Sequence, residues 1–242
     1  MITLPVKNTP DTYTLHPTKI IALGLNYRSH VAESASVKVR GFTDEVPAEP
    51  ILFAKTPNVL IGPGEAIVIP RFLDDYRFPE PRVDYEAELA FVIGRRCRNV
   101  TAAEAYGYIL GFTCFNDVSQ RNLQTADKSG WFRGKSLDTF GPVGPVIVRP
   151  SDLTDPQRLG LRCLVNGREV QAANTEQMIF SIREIVAFIS RQFTLEEGDL
   201  ISTGTPAGVG PLHPGDVVTV EIEGIGTLTN PVIKEALRKN TG

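Results

Sequence analysis

Two glutamates placed two positions apart, Glu86 and Glu88, are the residues best spaced to do chemistry. They lie near the polar start of a segment, Tyr85 to Ile93, that ends in an apolar run. In a strand, residues i and i+2 point to one face about 6.6 Å apart, so both carboxylates can converge. A hard divalent cation relieves their repulsion and lost hydration, and oxygen ligands favour Mg²⁺, Mn²⁺ or Ca²⁺ over Zn²⁺. The alternative is a half-exposed strand with a hydrated polar face.

A metal site needs a third ligand, and Asp117 is the candidate. It follows the apolar segment Phe112 to Phe115, which predicts a buried strand with Asp117 at its end. Aspartate after a strand is also a common turn former. Spacing alone therefore leaves both interpretations open.

Other polar residues carry a weaker signal. His30 and Glu33 are three apart, so a helix would place them on one face, where Glu33 could orient the imidazole. On spacing alone, such a pair is more often part of a solvated helix surface. Lys135 on its own reads as an ordinary surface lysine. The glycine-rich segment 203–210 lacks both the Gly-Lys-Ser/Thr ending and the GxGxxG spacing, so it is not a nucleotide loop.

The elements that must position these residues are mostly short strands. The 21 glycines and 18 prolines fit many strands joined by tight turns. Asn166-Gly167 predicts a hairpin with a type I′ turn. The predicted strands are 19–24, 52–54, 66–69, 85–93, 112–115, 162–165, 169–171, 199–203, 217–222 and 227–232. The predicted helices are 26–35, 101–108, with Thr101 as N-cap and Glu104 at the capping-box position, and 178–189.

Composition excludes several classes of protein. With 25 Lys and Arg against 28 Asp and Glu, the chain has a formal charge of −3 and no long basic cluster, so no nucleic-acid partner is expected. Three cysteines without CxxC spacing indicate neither a disulfide framework nor a zinc site, and favour the cytoplasm. The apolar runs are far shorter than the ~20 residues of a membrane span. We predict one domain over 1–242, opened by a short N-terminal segment, 1–18.

Several motifs, taken in order from Lys19 to Val232, resemble those of the fumarylacetoacetate hydrolase superfamily. Singly they are weak, but their order across most of the chain is highly specific. They are Gly24-Leu-Asn-Tyr-Arg-Ser-His30 with Glu33; Leu52-Phe-Ala-Lys55 and Gly62-Pro-Gly64; Val83-Asp-Tyr-Glu-Ala-Glu-Leu-Ala90; Asn116-Asp117 with Arg121 and Gln124; Arg133-Gly-Lys-Ser136; Asn166-Gly167; and Ile201-Ser-Thr-Gly-Thr-Pro-Ala-Gly-Val-Gly210.

The resemblance implies a fold and a cofactor. The fold would be a mixed β-sandwich roll, mainly β with a few helices (α+β), usually as a homodimer. One Mg²⁺ or Mn²⁺ ion would be held by Glu86, Glu88 and Asp117. The substrate would be a small anionic 2-oxo acid whose carboxylate and 2-oxo oxygen chelate the ion.

The resemblance also implies roles for the remaining site residues. His30 and Glu33 would activate a water molecule from a mobile lid within about 26–50. Lys135 would polarise the substrate carbonyl or enolate oxygen. Arg121, Gln124, Thr205 and Lys55 would bind substrate. The residues after Lys55 are Thr-Pro-Asn where family members often have Pro and then Ser, which leaves its contact open.

Three functions remain compatible with these motifs. The leading one is metal-dependent carbon–carbon bond cleavage through a metal-chelated enolate, by acylpyruvate hydrolysis or oxaloacetate-type decarboxylation. The alternative is isomerisation of 2-hydroxyhepta-2,4-diene-1,7-dioate in aromatic catabolism. From another class, the chain could bind metal and oxo acid without turnover, although the retention of both His30 and Lys135 argues against this.

Overall fold

The computed structural model describes residues 2–37, 45–126, 128 and 131–237. Strands form most of its regular structure, and helices are few and short, as the sequence predicts. The strands are β1 Ile2–Pro5, β2 Thr12–Leu15, β3 Ile20–Gly24, β4 Ile51–Lys55, β5 Leu60–Ile61, β6 Ile67–Ile69, β7 Val83–Tyr85, β8 Ala87–Ile93, β9 Ile109–Asn116, β10 Ser119–Gln120, β11 Gly141–Val148, β12 Gly160–Val165, β13 Arg168–Asn174, β14 Leu200–Ser202, β15 Gly210–Pro211, β16 Val217–Ile222 and β17 Gly226–Lys234. The helices are α1 Arg28–Val37, α2 Arg121–Ala126, α3 Phe132–Lys135 and α4 Ile182–Gln192.

The largest sheet in the described chain has the strand order β4-β3-β14-β8-β9-β11-β5. Its central strand, β8, is antiparallel to both β14 and β9. Leu89 and Phe91 of β8 pack into the main core, whereas Ala90 and Val92 pack into a second core on the opposite face. The strand is therefore buried on both sides, which explains why its sequence is apolar without alternation.

A second sheet, of order β13-β12-β16-β17-β6, packs against β8, β9 and β11 of the first sheet. The two sheets enclose the main core, which α4 extends. In the hairpin between β12 and β13, Asn166 and Gly167 have φ of 52° and 78°, which is the left-handed backbone of a type I′ turn. This arrangement confirms the predicted mainly β, α+β class.

The N-terminal segment covers the outer face of the large sheet. β1 and β2 pair antiparallel, with Ile2 opposite Leu15. Leu4 and Leu15 contribute to the second core beside Ile20 and Phe115. The hairpin thus helps to bury this face of the sheet.

Two predicted elements differ from those in the structure. The single strand predicted over 85–93 is interrupted at Glu86, which lies between β7 and β8. The helix predicted over 101–108 is a short 3-10 turn at Ala105–Tyr108. The Thr101 N–H and hydroxyl do donate to the Glu104 carboxylate, but only a turn and this 3-10 helix follow before β9 begins at Ile109.

The amphipathic helix predicted over 178–189 begins later, at Ile182. Ser181 caps it, since its hydroxyl accepts from the Glu184 N–H while the Glu184 carboxylate accepts from the Ser181 N–H. Met178 precedes the helix but is still part of the core. No helix in the described part of the chain is long and apolar enough to cross a membrane.

Candidate functional site

Three acidic residues converge at one end of β8. Glu86, Glu88 and Asp117 each offer a carboxylate oxygen, and these atoms lie within 4.8 Å of one another. Glu88 pairs with Phe115 across β8 and β9, so Asp117, two residues further, lies beside Glu86. Glu86 and Glu88 are only 4% and 0% exposed, which does not fit a hydrated strand face.

The environment of Glu88 fits a hard divalent cation. Its Oε2 accepts hydrogen bonds from the Ser202 hydroxyl and from the Gly204 N–H, 2.8 Å away. Its Oε1 is buried and has no hydrogen-bond partner among the described residues. Burial and the charges of Asp117 and Glu86 raise the pKa of Glu88 well above its usual range. Mg²⁺ and Mn²⁺ prefer oxygen ligands. The three crowded carboxylates provide such ligands, and one of their oxygens, Glu88 Oε1, has no other partner among the described residues.

Two buried lysines flank the acidic group. Lys135 Nζ donates to Glu86 Oε2 at 2.8 Å and to Asp117 Oδ2 at 2.6 Å. Lys55 Nζ donates to Asp117 Oδ1 at 2.6 Å. Burial lowers the pKa of Lys135, but Asp117 and Glu86 outweigh it and the net shift is upward. For Lys55, burial dominates and its pKa is lowered despite Asp117. Lys135 is therefore the more firmly held cation.

A close helix–helix contact brings Lys135 to the carboxylates. Lys135 ends α3, and Gly134 just before it packs against α2. A Cβ at Gly134 would lie 2.8 Å from the Gln120 carbonyl oxygen and from Gln124, too close for any other residue. The glycine in Arg133-Gly-Lys-Ser is thus required by packing.

Arg121 is tied into the same cluster by three contacts. Its Nε donates to Asp84 at 2.8 Å, one terminal nitrogen to Glu86, and the other to Gln124 Oε1 at 3.0 Å. Burial opposes the charge of Arg121, but Glu86 and Asp84 raise its pKa further above its normal value. The guanidinium thus also orients Gln124 and Glu86.

A small pocket opens beside the acidic cluster. It brings together most of the predicted site residues, whereas Glu33, Glu88, Asp117 and Lys55 are outside its lining. Lys55 contacts Asp117 instead. The lining residues are Leu23, Gly24, Leu25, His30, Phe53, Glu86, Arg121, Gln124, Trp131, Lys135 and Thr205.

His30 enters this pocket from α1. Its Nδ1 lies 3.3 Å from Glu33 Oε2, and the Glu33 carboxylate accepts a hydrogen bond from the Gly208 N–H at 3.0 Å. Burial raises the pKa of Glu33, but the hydrogen bonds from His30 and Gly208 lower it overall. The sequence-predicted pair is therefore formed, and Glu33 is itself anchored. Of the predicted lid, residues 38–44 lie outside the described chain.

Thr205 lines the pocket, but its hydroxyl is already engaged. It donates to the Ala87 carbonyl oxygen at 2.9 Å and accepts from Gln171 Nε2 at 2.9 Å. The aromatic rings of Phe53 and Trp131 form the apolar wall of the pocket. Their ring centroids lie 5.2 Å apart in an edge-on arrangement.

Sequence reasoning missed several residues that support the site. Asp84 anchors Arg121, and Ser202 holds Glu88. The side-chain amides of Asn116 and Gln171 accept from the backbone N–H groups of Glu86 and Ala87, respectively. Asp84 and Asn116 are close in sequence to the predicted ligands Glu86 and Asp117, and this proximity could have identified them. Ser202 lies within a family motif but had no predicted role, and Gln171 gave no signal, because their contacts are made across strands that are distant in sequence.

We expect a divalent ion to stabilise the metal-free protein. At a free-ion concentration 100 times Kd, binding to the folded state alone adds about 2.7 kcal/mol. For a chain of 242 residues this corresponds to a rise in Tm of roughly 5–10 °C. Differential scanning fluorimetry of chelator-treated protein with Mn²⁺ or Mg²⁺, against NaCl at equal ionic strength, measures the shift. An unchanged Tm at millimolar Mn²⁺ and Mg²⁺ would contradict the metal site.

Comparison with known proteins identifies one matching family and several similar proteins. Residues 19–233 match the family described as Fumarylacetoacetate (FAA) hydrolase C-terminal. The chain is 41% identical over 227 residues to the oxaloacetate tautomerase fahd2, mitochondrial, of Xenopus laevis, covering 90% of this chain and 66% of that protein.

Two solved structures share the fold. The 2-hydroxyhepta-2,4-diene-1,7-dioate isomerase from Mycobacterium marinum is 41% identical, with a TM-score of 0.78 over 95% of this chain and 83% of the other. Maleylpyruvate hydrolase from Sphingobium sp. SYK-6, in complex with manganese(II) and pyruvate, is 32% identical, with a TM-score of 0.75 over 91% and 72%. Relatives of this chain thus include a tautomerase, an isomerase and a hydrolase of oxo acids.

Proposed function

This chain belongs to the fumarylacetoacetate hydrolase family, and from that membership we propose that it is a divalent-metal-dependent enzyme cleaving a carbon–carbon bond in a small 2-oxo acid. The leading reaction is hydrolysis of an acylpyruvate. One observation carries this choice: His30, held by Glu33, lines the same pocket as Glu86 and Lys135. A water-activating base beside the acidic cluster is what hydrolysis requires and decarboxylation does not.

Glu86, Glu88 and Asp117 would hold the ion, Mg²⁺ or Mn²⁺. When bound, it would supply a Lewis acid for the negative charge on the carboxylate and 2-oxo oxygens of the substrate. The neighbouring chain supplies further positive charge. Lys135 is a buried cation in the pocket wall, where it favours an anionic substrate and the charge that develops as the carbon–carbon bond breaks.

His30 would act as the general base. With Nδ1 directed to Glu33, Nε2 is the nitrogen left to take a proton from water as the water attacks the acyl carbonyl carbon. The anchored Glu33 carboxylate stabilises the imidazolium that results. Cleavage then releases a carboxylic acid and leaves the pyruvate carbanion equivalent, which the same imidazolium can protonate. Gln124 and Thr205 would orient the substrate from the pocket wall.

A second candidate is a proton-transfer reaction, either tautomerisation or isomerisation of a 2-oxo acid. It is favoured by the 41% identity to both the Xenopus laevis tautomerase and the Mycobacterium marinum isomerase. The His30–Glu33 pair could move a proton between two substrate atoms without any attacking water. The two reactions differ in whether solvent oxygen enters the product.

His30→Ala tests whether His30 is needed for hydrolysis but not for decarboxylation. We expect the variant to lose acylpyruvate hydrolysis by about 10²–10⁴-fold, the usual contribution of a general base. Oxaloacetate decarboxylation should persist within a few-fold, since it needs no base. A spectrophotometric panel of acylpyruvates, oxaloacetate and 2-hydroxyhepta-2,4-diene-1,7-dioate, with and without Mg²⁺, measures this. His213→Ala, at an exposed histidine outside the pocket, is the matched control. Equal loss of hydrolysis and decarboxylation would contradict the assignment.

Two further properties are proposed, the first of them on family grounds. We propose a homodimer, which sedimentation can test. A cytoplasmic location stays a prediction: Cys97, Cys114 and Cys163 are buried and free, as a reducing compartment favours, while the Xenopus laevis relative is named as mitochondrial.

A further inference from the structure

The backbone at Glu86 leaves the strand ladder. β7 ends at Tyr85 and β8 begins at Ala87, so Glu86 lies in the break. The Glu86 N–H donates to Asn116 Oδ1 at 2.9 Å, and the Ala87 N–H donates to Gln171 Oε1 at 3.0 Å. Buried N–H groups need partners, and here two side-chain amides supply them. These amides therefore fix the break that turns Glu86 toward the cluster.

Gln171 reaches this break from the other sheet. It lies on β13, and its side chain is almost completely buried. Both of its amide hydrogens are used: Nε2 donates to Thr205 Oγ1 and to the Pro206 carbonyl oxygen, each at 2.9 Å. One side chain thus joins the ligand segment to the loop that follows β14.

That loop, residues 203–208, contacts both halves of the site. The Gly204 N–H donates to Glu88 Oε2 at 2.8 Å, and the Gly208 N–H donates to Glu33 at 3.0 Å. The loop also lies directly on β13, because a Cβ at Gly208, where φ is 98°, would come within 2.2 Å of the Val170 carbonyl oxygen. Its position relative to Gln171 is therefore closely fixed.

We propose that Gln171 is a positioning residue that sets the metal-ligand segment at a fixed distance from the His30–Glu33 pair. The inference rests on the proposed function. Without the amide, the Ala87 N–H and the Pro206 carbonyl oxygen lose a buried partner. The loop and the segment then stay joined through Thr205 and Gly204, so their spacing is less closely fixed. Loss of a residue that supports metal ligands typically weakens metal affinity by about 10–100-fold.

The test compares two variants of the full chain. Gln171→Met keeps the side-chain length but removes all three hydrogen bonds. Asn230→Leu is the control, since Asn230 is equally buried and donates to two carbonyl oxygens in a turn away from the pocket, at Gly62 and Glu65. Mn²⁺ affinity of the chelator-treated protein is measured by electron paramagnetic resonance, beside Tm, kcat and KM.

Both variants should lower Tm, whereas only Gln171→Met should weaken Mn²⁺ binding, by about 10–100-fold, with a parallel fall in kcat. Mn²⁺ affinity within twofold of wild type in folded Gln171→Met would overturn the inference. If that variant is insoluble, Gln171→Asn, whose amide is one methylene too short to reach all its partners, carries the same expectation. Failure of the proposed function would look different, because the wild-type protein itself would then bind no Mn²⁺. That result would refute the proposed function and this inference together.

Discussion

Glu88→Gln is expected to abolish Mn²⁺ and Mg²⁺ binding and to lower kcat/KM by at least about 10³-fold, which corresponds to ~4 kcal/mol of transition-state stabilisation. Yet the metal-free variant should be as stable as the wild type or more stable. The reason is that Glu88 Oε1 is buried without a hydrogen-bond partner in the described structure, and its carboxylate is repelled by Asp117 and Glu86. An amide removes the charge and can still accept from Ser202.

The pH dependence of stability provides an independent check on Glu88. Because its pKa is raised, the folded protein keeps a proton that the unfolded chain releases above the ordinary pKa of glutamate. Stability of the metal-free wild type therefore falls as pH rises from about 4.5 to the folded-state pKa, and this contribution is constant above it. The stability difference between Glu88→Gln and wild type should widen over that range.

Urea unfolding in chelator across a pH series measures this difference, and Mn²⁺ titration measures binding. Asp199→Asn is the matched control, because Asp199 is fully buried but accepts hydrogen bonds from Thr18, Lys19 and Glu196. We expect that substitution to destabilise the protein and leave Mn²⁺ affinity unchanged. A metal-free Glu88→Gln protein that is several kcal/mol less stable than wild type would show that the Glu88 carboxylate serves folding instead.

Much of the fold and part of the site could be predicted from local pattern. Asn166-Gly167 predicted its hairpin, because a tight turn depends on neighbouring residues only. The i, i+2 spacing predicted that Glu86 and Glu88 meet, although the break at Glu86 is held by the distant residues Asn116 and Gln171. β11 was not predicted, since two glycines and two prolines in Gly141–Val148 read as turns. In the structure a register shift between Gly144 and Val148 accommodates them within the sheet.

The remaining site residues depend on contacts that no local pattern contains. Lys135 reads as a surface residue unless the packing of α3 on α2 is known, and only the family resemblance identified it. Ser202 reaches Glu88 across 114 positions of sequence, and Gln171 reaches Ala87 from the opposite sheet. Neutral hydroxyl and amide groups on strands are common, so their type carries no signal before the strands are paired.

Lys135→Met should separate the two roles of the buried lysine. Removing its ammonium leaves Glu86 and Asp117 without that partner, and breaking a buried ion pair typically costs about 3–5 kcal/mol. This loss should appear in the metal-free protein throughout the neutral range. Since the pKa of Lys135 is raised, its contribution is complete below the ordinary lysine pKa and disappears only as pH passes the higher folded value.

Bound Mn²⁺ should restore most of the stability of Lys135→Met, because a divalent ion replaces the missing charge among the carboxylates. It should not restore turnover, which we expect to stay about 10²–10³-fold below wild type, since the ammonium in the pocket wall is lost. Lys55→Met is the matched control: it removes an equally buried charge from Asp117 but lies outside the pocket lining. That variant should lose stability with a smaller fall in kcat. If Mn²⁺ fully restored kcat in Lys135→Met, Lys135 would serve only to balance the negative charge of the carboxylates.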